Sequence, residues 1–176
     1  MAHEVVPTGK DLDIEDVHRV AVEGAKTSLS ESCRPAVEAS WRLVEEMVLE
    51  DRPVYGVNTG VGPFCNRLLP RSKTEALQRN LVRALSAGVG RPLPVQAVRA
   101  TMIARANSFL QGRSGIRWDT IQALVDLLNH RIHPRSQKPA RSGPAGIWLT
   151  SGTWRWDSWV KGRLSTGENL STAGKP

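Results

Sequence analysis

The chain has 176 residues, of which 40% are hydrophobic, and a formal net charge of +7. This length suits one ordinary domain, and the composition is that of a globular rather than a disordered protein. No apolar run approaches the roughly 18 residues of a membrane span, and the N-terminal MAHEVVPTGKDLDIED lacks the apolar stretch of a signal peptide. Cys33 and Cys65 are too few for a disulfide framework or a zinc site. We therefore expect a cytoplasmic protein with two reduced thiols, no metal and no membrane contact.

The positive charge is concentrated near the C-terminus. Residues 1–135 contain 18 basic and 15 acidic side chains, whereas residues 136–176 contain 6 basic and 2 acidic ones. A basic protein of this kind can bind nucleic acid. Because the excess belongs mainly to residues 136–176, that interpretation depends on what this segment is.

Residues 1–134 have a helical pattern of apolar residues. The acidic stretch Asp13–Asp16 begins a short helix, Ser30 is a candidate N-cap for a longer one, and Ser72 with Glu75 forms a capping box for a third. A fourth helix begins near Pro94, and a fifth has Asp119 in its first turn. The spacing predicts that the following side chains face the core: Ile14, Val17, Val20, Ala21, Val37, Trp41, Val44, Val48, Leu77, Leu81, Leu85, Val95, Val98, Met102, Ile121, Leu124, Val125 and Leu128.

A glycine-rich segment, YGVNTGVGPF, separates the second and third helices at Tyr55–Phe64. It follows no clear strand and lacks the Lys-Ser/Thr of a phosphate-binding loop, so general rules favour an ordinary surface loop.

Four blocks in order resemble the aromatic amino-acid ammonia-lyases and aminomutases, which include histidine and phenylalanine ammonia-lyases. They are VYGVNTGVGPF (54–64), LQRNLVRALSAGVGRPL (77–93), RANSFLQGRSGIR (105–117) and LVDLLNHRIHP (124–134). The resemblance covers essentially all of residues 3–134. It implies a mainly α protein, the N-terminal portion of the helical ammonia-lyase fold, from a family of homotetramers that acts on amino acids.

The resemblance also implies a reaction and a catalytic residue. These enzymes remove ammonia from an amino acid to give an α,β-unsaturated acid, with the help of a methylideneimidazolone electrophile that forms from an internal Ala-Ser-Gly. The tyrosine of YGVNTG is assigned as the base that takes the β-proton, and here it is Tyr55, the one tyrosine of the chain. An ordinary phenol loses its proton only near pH 10, so such a site must favour the phenolate. In such an enzyme Gly56, Gly60 and Gly62 are expected to adopt positive φ and to let the loop close over the substrate.

Two further residues are expected to contact the substrate, namely Gly60 in the loop and Leu85 in the third helix. Histidine and tyrosine lyases of the family tend to have a histidine at the position of Leu85, whereas phenylalanine enzymes have apolar residues there. Leucine therefore favours a phenylalanine-like ancestor. The same residue also fits the core-facing stripe of its own helix.

The prosthetic-group segment is where this chain departs from the family. Shortly after His-Pro the family has a stretch like VPExGSVGASGDLAPLAH, but this chain continues RSQKPARSGPAGIWLTSGTWRWDSW, and Ala-Ser-Gly occurs nowhere in it. No cofactor is therefore expected to form in this chain. Residues 135–176 also lose all helical or strand periodicity, so we divide the chain into a lyase-like part, 1–134, and an irregular, unstructured tail, 135–176.

A change of reading frame explains the tail. If Arg135-Ser136-Gln137-Lys138 is encoded by CGG TCC CAG AA-, one added G gives Arg-Val-Pro-Glu, and permitted codons extend that frame through Gly-Ser-Val-Gly-Ala-Ser-Gly-Asp-Leu. Tryptophan has the single codon TGG, which arises when a codon ending in TG before Ala or Gly is read one frame over. Such junctions account for Trp148, Trp154, Trp156 and Trp159. The shift is either in the gene or in the sequence read.

Other interpretations of the tail and of the whole chain remain open. The tryptophans could pack as a core element, or they could stack nucleic-acid bases beside the basic residues. The chain as a whole is expected to be an inactive, truncated ammonia-lyase. The alternatives are a non-catalytic fragment that binds lyase subunits and, less favoured, a nucleic-acid-binding protein.

Overall fold

The computed structural model describes residues 4–85 and 91–134, with side chains for 4–81 and 91–134. The predicted tail, 135–176, its four tryptophans and the side chain of Leu85 lie outside the described residues. The division of the chain at residue 134 therefore stays a prediction.

Five α-helices make up most of the described chain, as the sequence predicts. They are α1 (Ile14–His18), α2 (Arg34–Leu49), α3 (Arg71–Leu85), α4 (Val95–Leu110) and α5 (Trp118–Asn129). A π-helical turn, Arg19–Glu23, continues α1, and single 3₁₀ turns occur at Glu31–Cys33 and Gly62–Phe64. Extended pairing is limited, within the described residues, to isolated bridges between Val5 and Thr27 and between Thr59 and Leu68. The mainly α fold class is confirmed.

Helix α4 is the centre of the core. It packs most extensively against the π-helical turn and against α5. Ile103 and Ala106 of α4, Val20 of the turn and Ile121 of α5 are completely buried. Burying several large aliphatic side chains at one junction supplies most of the hydrophobic stabilisation of such a fold.

Side-chain amides tie the N-terminal segment to this core. Asn129, at the end of α5, accepts a hydrogen bond from the backbone N–H of Thr27 (3.0 Å) and donates one to its carbonyl (2.8 Å). Asn107 of α4 accepts a hydrogen bond from the backbone N–H of Gly9 (2.8 Å). These bonds satisfy backbone groups that would otherwise need a neighbouring strand or water.

Most of the predicted core positions of α4 and α5 are buried. Elsewhere the periodicity was less reliable: two predicted core side chains are exposed, and six are only half-buried, namely Val17, Trp41, Val44, Val48, Leu77 and Leu81. Ile14 is 83% exposed and Val95 is 52% exposed. Trp41 is half-buried and lies under the guanidinium of Arg117, with 5.2 Å from Cζ to the ring centroid. Periodicity shows which residues share a helix face, but it does not show whether another element covers that face.

The predicted start of α1 agrees with the structure, whereas the predicted starts of α2 and α3 differ in detail. Asp13 is the N-cap of α1 and forms a capping box with Asp16. Ser30 caps the 3₁₀ turn without a side-chain hydrogen bond to the backbone, and α2 begins at Arg34. Helix α3 begins at Arg71, so Ser72 lies inside the first turn rather than at the N-cap. The cap patterns thus located helix starts to within a few residues, as is usual for helix ends.

Candidate functional site

The segment between α2 and α3 contains Tyr55, and we call residues 50–70 the tyrosine loop. Its two ends are held together at the base. The Arg71 guanidinium at the start of α3 lies 3.1 Å from the Asp51 carboxylate and also donates a hydrogen bond to the Leu49 carbonyl at the end of α2. Both ionic side chains are exposed, so the pair adds little stability. Its effect is to bring the end of one helix to the start of the next.

Asn58 holds the turn of the loop together through hydrogen bonds to the backbone. Its side chain is buried, its Oδ1 accepts a hydrogen bond from the Val54 N–H (2.7 Å) and its Nδ2 donates one to the Arg52 carbonyl (2.8 Å). Its own carbonyl accepts a hydrogen bond from the Leu69 N–H (2.8 Å). A buried amide with both ends satisfied fixes a turn strongly, because breaking it would leave buried polar groups unpaired.

Thr59 and Gly60 continue this buried turn. The hydroxyl of Thr59 accepts a hydrogen bond from the Gly56 N–H (3.2 Å) and lies 3.0 Å from the Gly60 carbonyl. The Gly60 N–H donates to the Arg67 carbonyl (3.2 Å), which joins the two sides of the loop. The motif residues Asn58, Thr59 and Gly60 are thus a buried scaffold.

The three glycines of the loop differ in their role. Gly56 and Gly62 have φ of 69° and 57°, as predicted. Gly60 does not have positive φ, so that expectation was wrong. A Cβ on Gly60 would lie 2.6 Å from the Phe64 Cβ and carbonyl oxygen, so the residue must be glycine for lack of space.

Tyr55 lies on the outside of this scaffold. Its side chain is 67% exposed, and its hydroxyl oxygen accepts a hydrogen bond from the Gly62 N–H (3.2 Å). Because Tyr55 uses only its oxygen in this bond, the hydroxyl proton remains available to another partner. The geometry presents an exposed hydroxyl group at the surface of the loop.

Gln78 of α3 holds the loop from the other side. Its Nε2 lies 2.5 Å from the Gly56 carbonyl and 3.1 Å from the Val57 carbonyl. Neither Gln78 nor Asn58 was predicted from the sequence as a residue of the site. The sequence offered one signal for each. Gln78 is an amide between the apolar helix positions Leu77 and Leu81, and Asn58 is an amide in the middle of the YGVNTG motif.

Leu85, the other predicted substrate contact, lies at the C-terminal end of α3, seven residues after Gln78. Its side chain lies outside the described residues. Its role, like those of Tyr55 and Gly60, stays a prediction.

A cavity of about 460 Å³ lies beside the tyrosine loop, between α2, α3 and the connection from α4 to α5. Val57 of the loop lines it, together with Trp41 and Val48 of α2 and Ile116. The Thr74 hydroxyl also lines it, and that oxygen is buried without a hydrogen-bond partner. Tyr55 is not among the residues that line this space.

A second polar cluster lies in the core, away from the loop. The Arg99 guanidinium of α4 is buried, donates to the carbonyls of Val20 (2.7 and 3.0 Å) and Leu128 (2.9 Å), and lies 3.2 Å from Nε2 of His133. Burial lowers the pKa of Arg99, with a smaller contribution from Arg131. Burial, followed by the charges of Arg99 and Arg131, also lowers the pKa of His133. A neutral His133 that accepts the Arg99 N–H fits this cluster.

Neither a metal site nor a membrane span was found in the part of the chain that the structure describes. Those residues contain no group of three or more His, Cys, Asp or Glu side chains that could hold a metal ion. None of their helices is long and apolar enough to cross a membrane. Cys33 and Cys65 are both free thiols.

The helical fold and the tyrosine loop correspond to a known family. The model of the family described as aromatic amino acid lyase matches residues 12–138, so the chain belongs to this family. The resemblance found in the sequence is confirmed.

The relatives with similar sequences and structures include both ammonia-lyases and aminomutases. Histidine ammonia-lyase from Streptococcus sanguinis is 42% identical over 146 residues, which is 83% of this chain and 28% of that protein. The structure of tyrosine aminomutase from Streptomyces globisporus has a TM-score of 0.77 and 31% identity, over 84% of this chain and 28% of that one. Histidine ammonia-lyase from Trypanosoma cruzi has a TM-score of 0.65 and 30% identity, over 72% of this chain and 25% of that one. The chain thus spans less than a third of the length of these relatives.

Proposed function

We propose that residues 1–134 are the tyrosine-bearing part of an ammonia-lyase that removes ammonia non-oxidatively from histidine or phenylalanine, and that this chain alone is inactive. One observation carries the proposal: an exposed tyrosine oxygen on a fixed loop, in a chain without Ala-Ser-Gly. The base of the reaction is present and the precursor of the electrophile is absent.

The role of Tyr55 follows from the chemistry. The β-proton of an amino acid is weakly acidic, and a base must lie within hydrogen-bond reach of it. Tyr55 is exposed enough to reach a substrate, while Asn58 and Gln78 fix the backbone around it. Gly60 gives the loop its tight turn close to the substrate, and Leu85 would contact the substrate ring.

The family's prosthetic group does not fit this chain. The family resemblance implies a methylideneimidazolone made from the protein's own Ala-Ser-Gly, and this sequence contains no Ala-Ser-Gly. In the frame-shift interpretation, the bases of the lost Ala-Ser-Gly now encode Gly-Pro-Ala-Gly, residues 143–146. Without the electrophile an amine is a poor leaving group, so proton removal by Tyr55 would not lead to product.

The substrate of the intact enzyme is proposed as a class only. The histidine ammonia-lyases among the relatives favour histidine, whereas Leu85 favours an apolar ring such as that of phenylalanine. The intact enzyme would be a cytoplasmic homotetramer, as the family resemblance implies.

An activity assay tests this proposal. The purified 176-residue chain should form no urocanate from histidine and no cinnamate from phenylalanine. The product of the gene with one G restored after the Arg135 codon should form one of them. In that product, Tyr55→Phe should lower kcat by roughly 10²–10⁴-fold, the usual contribution of a general base. Product formation by the 176-residue chain would contradict its proposed inactivity, and an inactive restored protein would contradict the assignment as a lyase.

A second candidate function is that of a non-catalytic fragment that associates with intact lyase subunits. Large apolar side chains that are exposed along α2 and the tyrosine loop favour it, among them Leu49 and Phe64. Co-expression with a full-length histidine ammonia-lyase should then yield a complex that survives gel filtration. Separate elution of the two chains would exclude this candidate.

A further inference from the structure

Gln78 is well placed to control the position of Tyr55. Its amide nitrogen donates to the carbonyls of Gly56 and Val57, the two residues that directly follow Tyr55. Gly56 has φ of 69°, so the backbone at this point adopts a conformation that glycine leaves easily. A contact that holds both carbonyls restricts the two peptide groups that follow Gly56, and so limits how far the backbone next to Tyr55 can move.

The loop and α3 are joined at this point. Asn58 and Thr59 bond to the backbone of the loop itself, so they fix its shape but not its place on the helix. Arg71 joins the base of the loop to α3 through residues 49 and 51, several residues before Tyr55. Within the described residues, the hydrogen bonds from α3 to residues 54–60 both come from Gln78.

We propose that Gln78 is a positioning residue that fixes Tyr55 relative to α3, the helix that also contains Leu85. This inference rests on the proposed function, in which Tyr55 takes a proton while Leu85 contacts the ring of the same substrate. A displacement of about 1 Å between a catalytic group and its substrate can cost about a hundredfold in rate. The Gln78 amide on α3 therefore sets the distance between the Tyr55 oxygen and the substrate.

The single tyrosine of the chain allows a test that does not require activity. With 3-fluorotyrosine incorporated, the ¹⁹F resonance reports on Tyr55 alone. In the folded, unaltered chain we expect this resonance to have a chemical shift different from that of the chain unfolded in urea. Gln78→Leu removes the donor, and Gln78→Glu places carboxylate oxygens against two carbonyls. Both should move the resonance most of the way toward the unfolded position, while Gln78→Lys, which retains a donor, should stay close to the unaltered chain.

Cleavage by chymotrypsin after Tyr55, mapped by mass spectrometry, is the second readout. Loss of two hydrogen bonds should raise the cleavage rate in Gln78→Leu roughly tenfold, because cleavage follows the population of the opened loop. Gln96→Leu, an exposed glutamine of α4, is the matched control and should change neither readout.

The pattern across the variants decides the outcome. The proposal is overturned if Gln78→Leu and Gln78→Glu leave the ¹⁹F resonance and the cleavage rate unchanged. It is also overturned if Gln78→Lys moves the resonance and raises the cleavage rate as much as Gln78→Leu and Gln78→Glu do. A lower helical circular dichroism signal in all three variants would overturn it as well, since Gln78 would then support the fold as a whole. Neither readout depends on lyase activity, so failure here leaves the proposed function standing.

Discussion

At the scale of single residues, Arg99 connects three separate segments of the chain, and no sequence pattern indicates this role. Its guanidinium joins the π-helical turn at Val20, the end of α5 at Leu128, and His133. None of the ion pairs among the described residues involves it, so carbonyl dipoles rather than a carboxylate compensate its charge. Such charge-assisted hydrogen bonds are among the stronger ones in proteins.

Replacing this arginine should destabilise the fold. Arg99→Met leaves the buried carbonyls of Val20 and Leu128 without their donors, so we expect a loss of roughly 3 kcal/mol in the free energy of unfolding. Urea denaturation measures it. The exposed Arg113→Met should change stability by less than about 0.5 kcal/mol, and an equal loss in both variants would contradict the role of Arg99.

His133 makes stability depend on pH in a defined direction. Its pKa in the folded chain is lowered below the ordinary 6.5, so the unfolded chain binds a proton more readily than the folded one. Stability should therefore be full above about pH 6.5 and should fall as the pH decreases toward the lowered pKa. His133→Gln retains an acceptor for Arg99 but does not titrate.

Thermal unfolding of the original chain and of His133→Gln, measured between pH 5 and 8, tests this expectation. The melting temperature of the original chain should fall more steeply on acidification than that of His133→Gln. Parallel curves for the two proteins would show that His133 is not the group responsible.

At the scale of elements, the helices and the position of the tyrosine loop could be predicted, whereas the burial of individual side chains and the contacts that anchor the loop could not. Apolar spacing located α1 to α5, and the glycine-rich motif located the tyrosine loop. The exposure of Ile14 and Val95 depends on which elements cover a helix face, and no single helix encodes that. The contacts of Gln78 and Arg99 join residues about 20 to 80 positions apart, so a local pattern does not reveal them.

The glycines of the tyrosine loop provide a prediction at this scale. Gly60→Ala should disrupt the turn, because the new methyl group would lie against the Phe64 backbone. Gly62→Asn should be tolerated, since the space around Gly62 is open and asparagine accepts positive φ better than other side chains do. Chymotrypsin cleavage after Tyr55 should increase at least severalfold in the first variant and little in the second. The reverse order would mean that the positive φ at Gly62, rather than the lack of space at Gly60, is what makes glycine necessary in this loop.

At the scale of the whole molecule, the described residues leave much apolar surface uncovered. Six of the ten large hydrophobic side chains that are exposed lie between residues 43 and 68. They are Leu43, Leu49, Tyr55, Val61, Phe64 and Leu68. Surface of this kind favours association with another protein or with further copies of the chain.

The isolated chain should therefore self-associate in solution. Its apparent mass by light scattering should rise with concentration, and the double variant Leu49→Lys, Phe64→Lys should reduce that rise. The exposed polar pair Gln96→Lys, Thr101→Lys is a control for added charge. If both double variants reduce association equally, general repulsion rather than the apolar surface is responsible.

We infer that this lyase-like chain, with Tyr55 on a fixed loop, continues after Arg135 in a reading frame that no longer encodes Ala-Ser-Gly. The most direct test is to sequence the gene from the Arg135 codon to the Pro176 codon and beyond. We expect this DNA, read one frame over, to encode Val-Pro-Glu followed by Ala-Ser-Gly and to remain open. A shifted frame that lacks Ala-Ser-Gly, or that closes within these codons, would contradict it.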